Sequence, residues 1–384
     1  MSKDVAIIGG SAAGLLTAKM LAEQGLNVKV FEAAEHMDTS PRSLIVTGHL
    51  PKVTGPLYQS ALVNKIHRFE LFTDGRVAKI SLRQPDLVIE RSKLLHELTT
   101  QAEEGGAKIF TDQRFLNLKP NGKRLAFNTT SNGHRESVEQ YAHILVGADG
   151  TFSKVAKCGG WPKQITVPLI QAVVELPKDI HPDTTRVWFL PEETPFFYWL
   201  IPHSPTHGVL GLIAEEEKTG QMHLEHFLET KEIVPIEFQR ARIPLYTRWV
   251  PVHRKIGQGH VYLVGDAAGH VKATTVGGVV TGFRGALNVV DNILKSRNNL
   301  NFNGLRRELD LHNLIRKSLR GFTQEDYVKL LDMLNPSTLR SLSTFNRDES
   351  LKLLFHLLVR QPKLLMIGLR TILLDRLSFS KSNK

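Results

Sequence analysis

The sequence predicts an α/β protein: a parallel-sheet domain that is interrupted by an antiparallel sheet, completed after it, and followed by helices. Three observations carry that reading. Residues 5–31 spell strand, helix and strand within one short stretch, the pattern of a βαβ unit. From about Thr166 the text changes to short alternating strands separated by proline-containing or polar turns, as expected for an antiparallel sheet. Val261–Val264 then returns to a buried parallel strand, and beyond Asn298 no strand signal remains.

Taken in order, Val5–Ile8 is a β-branched, uncharged run closed by Gly9-Gly10 and predicts a strand buried on both faces. Ala12–Gln24 places Leu15, Leu16, Met20 and Leu21 at helical spacing, with Gly25 positioned to end the helix. Val28–Phe31 is the second strand and ends at Glu32. Arg91–Glu103 reads as a helix with Leu94, Leu95, Leu98 and Ala102 on one face, and Ala107–Phe110 as a strand after two glycines. Phe115–Phe127, with Asn121-Gly122 in its turn, reads as a hairpin, and His143–Val146 as a further buried strand. The antiparallel set is Leu169–Leu176, Thr185–Leu190, Phe196–Ile201 and Gly208–Ala214, and Gly278–Leu294 is the closing helix. The expected divisions are 1–165, with an inserted hairpin near 66–90, then 166–256, 257–297 and a helical region over 298–384.

Composition narrows the classes. The 384 residues suffice for two or three domains at roughly 100–200 residues each. With 41% apolar and 23% charged residues, collagen-like, disordered and polytopic membrane chains are excluded. The net charge of +11 favours anionic partners without choosing among them. One cysteine, Cys158, leaves no intrachain disulfide framework and agrees with a reducing compartment. No secretory leader is read at the N-terminus, and no window is apolar enough to span a bilayer, so a cytoplasmic protein is expected. The 16 histidines have no paired ligand spacing, so no metal site is expected.

The chemistry-bearing motifs begin with Gly9-Gly10-Ser11-Ala12-Ala13-Gly14 between the first strand and first helix. Such a turn lets backbone approach a pyrophosphate at the helix N-terminus, and its last glycine lets helix and strand pack closely. Ser11 replaces the middle glycine, a small change whose hydroxyl can bond phosphate. Glu32, 18 residues after Gly14, is placed to accept both hydroxyls of an adenosine ribose. Together these admit NAD or FAD. Two later motifs, Gly147-Ala148-Asp149-Gly150 and Val264-Gly265-Asp266-Ala267-Ala268-Gly269, each follow a strand, and the second leads to Gly277-Gly278 at a helix start.

At these residues the sequence resembles the FAD-dependent oxidoreductase superfamily, the p-hydroxybenzoate-hydroxylase-like group of aromatic hydroxylases, flavin halogenases and geranylgeranyl reductases. The resemblance spans about the first 295 residues. It implies a Rossmann-like FAD-binding domain interrupted by an antiparallel-sheet substrate domain. It implies that Asp266 serves the ribityl and pyrophosphate region and that Asp149-Gly150 supports the FAD site. It also implies that the helix after Gly277-Gly278 aims its N-terminus at the flavin, where a helix dipole stabilises charge formed on reduction. Arg42 and Arg91 match positions where the superfamily carries flavin-contacting arginines, with a surface salt bridge as the alternative.

Two details favour the geranylgeranyl-reductase-like branch: Gly269 after Asp-Ala-Ala, and Phe197-Tyr198-Trp199-Leu200-Ile201-Pro202, which resembles the reductases' Tyr-x-Trp-x-Phe-Pro with Phe197 and Ile201 substituted, and also the halogenases' Trp-x-Trp-x-Ile-Pro. In a strand Phe197, Trp199 and Ile201 share one face, to line an apolar cavity or to fill a sheet core. The sequence departs from the pattern at Ala273, where proline is usual, and at Val276-Gly277, where Gly-Glu is usual. Lys272, His270 and Trp199 are the catalytic candidates, Lys272 as a stabiliser of reduced flavin or a solvated charge, His270 as a flavin neighbour or a core histidine. The expected activity is reduction of double bonds in an isoprenoid or lipid-like substrate; the alternative is monooxygenation or halogenation of an aromatic or apolar small molecule. For a halogenase, Lys65 and Lys79 lie in the right stretch but in no matching motif. The electron donor is expected to be NAD(P)H or a reduced carrier protein, binding transiently. Leu351–Phe379, broken by Pro362, reads as two basic amphipathic helices, either a cap or dimer contact or a peripheral membrane contact; residues 301–384 carry 15 Lys/Arg against 8 Asp/Glu. Nucleic-acid binding is not expected, because no recognition motif accompanies these charges.

Overall fold

The structure, a computed structural model, describes residues 3–37, 41–131, 136–295, 301–344, 348–349, 352–354, 356, 361 and 370. Most of Leu351–Phe379 lies outside the described residues.

A six-stranded sheet forms the nucleotide-binding layer. Its order is His253–Ile256, Gly259–Leu263, Ile144–Gly147, Asp4–Ile8, Asn27–Phe31 and Lys108–Phe110. Every pairing is parallel except the first. The continuous apolar text of the central strand is explained by burial on both sides. Val5 and Ile7 pack with Ala13, Ala18 and Leu21 of helix Ala12–Ala22 and with Ala286, Val289 and Val290 of helix Val279–Lys295. Ala6 and Ile8 face Phe115, Leu125 and Phe127 of a three-stranded antiparallel sheet, Arg114–Asn121, Arg124–Thr130 and Val138–Ala142. The expected hairpin is present and gains that third strand.

The second sheet has eight strands in the order Pro235–Pro244, Thr166–Glu175, His207–Ile213, Tyr198–Pro202, Thr184–Trp188, Leu62–Thr73, Arg76–Glu90 and Ser43–Val46. The early hairpin is longer than residues 66–90, and its hydrogen bonds run into this sheet: Leu62–Thr73 pairs in parallel with Thr184–Trp188. A parallel partner more than a hundred residues away leaves no local mark in the text. Helix Glu217–Thr230 and strand Pro235–Pro244 were not anticipated. The strand is an outermost one, where its terminal prolines need supply no ladder hydrogen bond. The helix buries Gly220, Leu224, Phe227 and Leu228 against the sheet face that carries Ile170, Leu210 and Leu212. Beyond the first 300 residues, helices Asn303–Arg320, Gln324–Asp332 and Pro336–Thr344 bear out the all-helical expectation among the described residues.

Candidate cofactor and substrate site

The first turn is built so that backbone, not side chains, occupies the gap between strand and helix. Gly9 has φ +104°, and a Cβ there would strike the Ala148 carbonyl. At Gly14 a Cβ would stand 2.6 Å from the Gly9 oxygen and 2.7 Å from the Ala148 Cβ. Ser11 is the N-cap of the helix that Ala12 and Ala13 begin, its hydroxyl accepting from the Gly14 N–H at 3.3 Å. Glu32 stands across the turn: its Oε2 accepts the Gly10 N–H at 2.6 Å and its Oε1 the Ala34 N–H at 2.8 Å.

The later motifs converge on that turn. A Cβ on Gly265, which has φ +60°, would meet the Ala13 Cβ at 3.1 Å, and one on Gly278 would meet Asp266 Oδ1 at 3.2 Å. Asp266 is half-buried; burial raises its carboxyl, opposed by the charge of Arg91. Asp149 turns inward on its own loop. Its Oδ1 accepts from Ser153 Oγ at 2.5 Å and its Oδ2 from the Val155 N–H at 3.0 Å, so it braces helix Lys154–Cys158 while Gly150 takes φ +76°.

Arg42 and Arg91 are brought side by side by strand pairing. Ser43 lies opposite Glu90, the Arg91 N–H donates to the Arg42 carbonyl at 2.9 Å, and the Arg42 N–H donates to Glu90 Oε1 at 2.8 Å. Glu90 also accepts from the N–H groups of Ser92 and Lys93, which caps the helix that Arg91 opens. Burial, then the charge of Arg91, lowers the Arg42 guanidinium from its usual value. Burial likewise lowers Arg91, against the carboxylates of Asp266, Glu90 and Glu32. Among the described residues, the buried Arg42 Nε has no hydrogen-bond partner. A guanidinium N–H so placed beside a second arginine, a glycine cradle and a carboxylate at a strand end suits a dinucleotide's pyrophosphate.

Beside the segment that leads to Gly277-Gly278, the second sheet buries an apolar cluster. Trp199 and Ile201 cluster with Ile66, Val88, Val167 and Phe196, and with Val271 and Val276 of the segment leading to Gly277-Gly278. Phe197 is half-buried and packs edge-on to Trp199, ring centroids 6.1 Å apart. Gly211 makes the slot for Trp199, since a Cβ there would stand 2.7 Å from the indole. Tyr198 points the other way, stacked on Phe227 at 4.5 Å. The alternation expected of Phe197, Trp199 and Ile201 is therefore present.

Two catalytic candidates have other surroundings. His270 does not open toward the glycine turns: it is 1% exposed, stacked on Trp249 at 5.6 Å, near Phe302 at 5.8 Å, and closed off by helix residue Gly285. Neither ring nitrogen has a hydrogen-bond partner, and burial lowers its pKa to about 3. It is a core histidine. Its stability effect has a definite sign. Between pH 6.5 and 3 the unfolded chain takes a proton that the folded chain refuses, so stability is intact above the upper value and falls as pH falls. His270→Leu is expected to flatten that acid limb by up to about 1.4 kcal/mol per pH unit; urea midpoints at pH 7, 6 and 5 read it, and parallel curves for the two proteins contradict it. Lys272 is likewise no solvated charge. It is buried and ion-paired with Asp348, which also accepts from Thr47 Oγ1.

Sequence reasoning missed the residues that hold this loop: Thr47, His49, His312 and Asp348. The available signal was Val276, a β-branched residue at φ +52° where glycine was usual; such strain costs of order 1–3 kcal/mol and persists where surroundings impose it.

A doubly sided parallel sheet with a glycine cradle, a carboxylate at the end of its second strand and paired arginines, joined to a second sheet with a buried apolar cluster, defines a flavoprotein oxidoreductase. The chain matches the FAD binding domain family model over residues 2–298, and it belongs to that family. FAD is its cofactor. It is 24% identical to digeranylgeranylglycerophospholipid reductase 1 of Methanosphaera stadtmanae over 93% of this chain and 94% of that protein. Among solved structures it resembles a geranylgeranyl bacteriochlorophyll reductase-like protein from Thermoplasma acidophilum, with TM-score 0.77, 17% identity, and coverage of 97% of this chain and 99% of that one. It also resembles a flavin-dependent brominase, with TM-score 0.67, 16% identity, and coverage of 93% and 94%.

Proposed function

We propose that this protein is an FAD-dependent reductase that saturates carbon–carbon double bonds of an isoprenoid lipid. The observation that carries this reading is the buried apolar cluster of Trp199, Ile201 and Phe196 with Val271 and Val276, next to Gly277-Gly278. Side chains of this kind would hold a flexible hydrocarbon by area rather than by hydrogen bonds. The full-length similarity to a digeranylgeranylglycerophospholipid reductase supports the same class.

FAD when bound supplies two-electron hydride chemistry at its ring. In this reading Gly9, Gly14 and the N-terminus opened by Ser11, Ala12 and Ala13 seat the pyrophosphate, and Arg42 and Arg91 neutralise it. Glu32 accepts the ribose hydroxyls, and Asp266 and Gly265 hold the ribityl region, braced by the Asp149-Gly150 turn. Gly277 and Gly278 open helix Val279–Lys295 toward the ring, and Phe197, Trp199 and Ile201 hold the lipid tail. The donor is NAD(P)H or a reduced carrier protein. Among the described residues no helix is long and apolar enough to cross a membrane; the basic segment after residue 300 is proposed to meet an anionic lipid surface, where its substrate resides.

The halogenase reading loses its lysine. Lys65 is exposed, and Lys79 is exposed and paired with Glu70 at 3.1 Å. To test the proposal, the anaerobically photoreduced protein is mixed with a digeranylgeranyl glycerophospholipid in vesicles. Flavin reoxidation and a product heavier by H2 per double bond are expected; reoxidation by O2 alone, with an oxygenated or halogenated product, overturns it.

A further inference from the structure

Residues 272–278 are tied to parts of the chain far away in sequence. Lys272 and Asp348, whose side chains are 7% and 1% exposed, form a buried ion pair. The other Asp348 oxygen accepts from Thr47 Oγ1, and His49 Nδ1 stands 3.5 Å from it. On the opposite side of the loop, Thr274 Oγ1 lies 2.7 Å from His312 Nδ1 on helix Asn303–Arg320. Inside the loop the Val276 N–H donates to the Lys272 carbonyl at 2.9 Å, and the Lys272 N–H to the Gly277 carbonyl at 3.2 Å. The Lys272 and Val276 backbones are therefore parts of one closed turn, from which the Lys272 side chain reaches Asp348. That turn keeps Val276 at positive φ with its side chain in the apolar cluster.

We propose that Asp348 is a positioning residue: by anchoring Lys272 it holds the Val276 turn against Trp199 and Ile201 and sets how that apolar cluster packs beside Gly277-Gly278. Asp348 is then part of the site, although it lies beyond the residues 2–298 that the family model covers. Burial raises the Asp348 carboxyl, but Lys272 and the donors on Lys272 and Thr47 hold it below its usual value, so Asp348 stays charged. A buried pair of this kind is often replaced by apolar residues without loss of stability. What it supplies that an apolar pair does not is a single geometry for the loop. That distinction makes the proposal testable, and only its kinetic readout rests on the lipid-reductase reading.

The FAD-loaded full chain is compared with Asp348→Asn, Lys272→Met and the double variant Lys272→Met/Asp348→Leu. The readouts are thermal melting, the visible circular dichroism of the bound flavin, and KM and kcat for the digeranylgeranyl lipid. Each single variant leaves a buried partner uncompensated and is expected to melt lower. The double variant is expected to melt within about 3 °C of the parent, yet to show an altered visible flavin signal and a KM raised about tenfold or more. A double variant with parental melting, parental flavin dichroism and parental KM overturns the proposal and leaves the pair a structural tie. If the parent reduces no lipid, the functional reading falls; the flavin dichroism still decides the positioning role.

Discussion

Gly14→Val is expected to give a colourless protein that melts well below the parent. The Gly14 position has no room for a Cβ, because the Gly9 carbonyl oxygen and the Ala148 methyl already stand 2.6 and 2.7 Å from where it would lie. Both neighbours belong to the sheet side of the turn, so relief requires helix Ala12–Ala22 to move away from strand Asp4–Ile8. Overpacking of this kind costs about 1–3 kcal/mol where side chains can shift, and here one obstacle is backbone. The same displacement moves the free N–H groups at the helix start, on which anion binding depends. The ratio of flavin to protein absorbance after purification and the melting temperature with and without added FAD measure the effect. A yellow variant with a parental melting temperature contradicts the packing assigned to this turn.

How much of this was legible in the sequence follows from the range of each interaction. The glycine turn, Glu32 and the Gly265–Gly269 turn are local devices: a backbone φ, a helix start, a strand end. They leave marks within a few residues, and the structure brings them together. The alternation of Phe197, Trp199 and Ile201 was equally local, and the two faces of the strand bear it out. The parallel pairing of Leu62–Thr73 with Thr184–Trp188 was invisible because the pair is defined by contact, not by periodicity. Lys272 and His270 show the same limit from the other side. Their neighbours in sequence placed them beside the flavin loop. Their fates were decided by Asp348, Trp249, Phe302 and Gly285, residues up to 76 positions distant. A buried charge is readable only with its partner, and a partner from another segment has no signature of its own.

Arg42→Met is expected to shift stability in opposite directions with and without cofactor. Arg42 sits half-buried beside a second guanidinium, and among the described residues its Nε has no hydrogen-bond partner. An unsatisfied buried donor costs about 1–3 kcal/mol, more when charged, and the like charge of Arg91 adds to it. Methionine keeps the apolar stem and removes both penalties, while the backbone links to Glu90 and Arg91 stay. The apoprotein should therefore melt at or above the parent. If Arg42 meets the pyrophosphate as proposed, charge-assisted bonds of about 1.5–3 kcal/mol are lost from the FAD-bound protein with the guanidinium. That range corresponds to a FAD affinity weakened about ten- to a hundredfold. Melting curves of both forms, with a flavin-fluorescence titration for affinity, separate the two signs. The parent's affinity should also fall with added salt, which screens the attraction between the arginines and an anionic ligand. Equal destabilisation of both forms would make Arg42 a purely structural residue, and the anion site would then rest on Arg91 and the helix N-terminus alone.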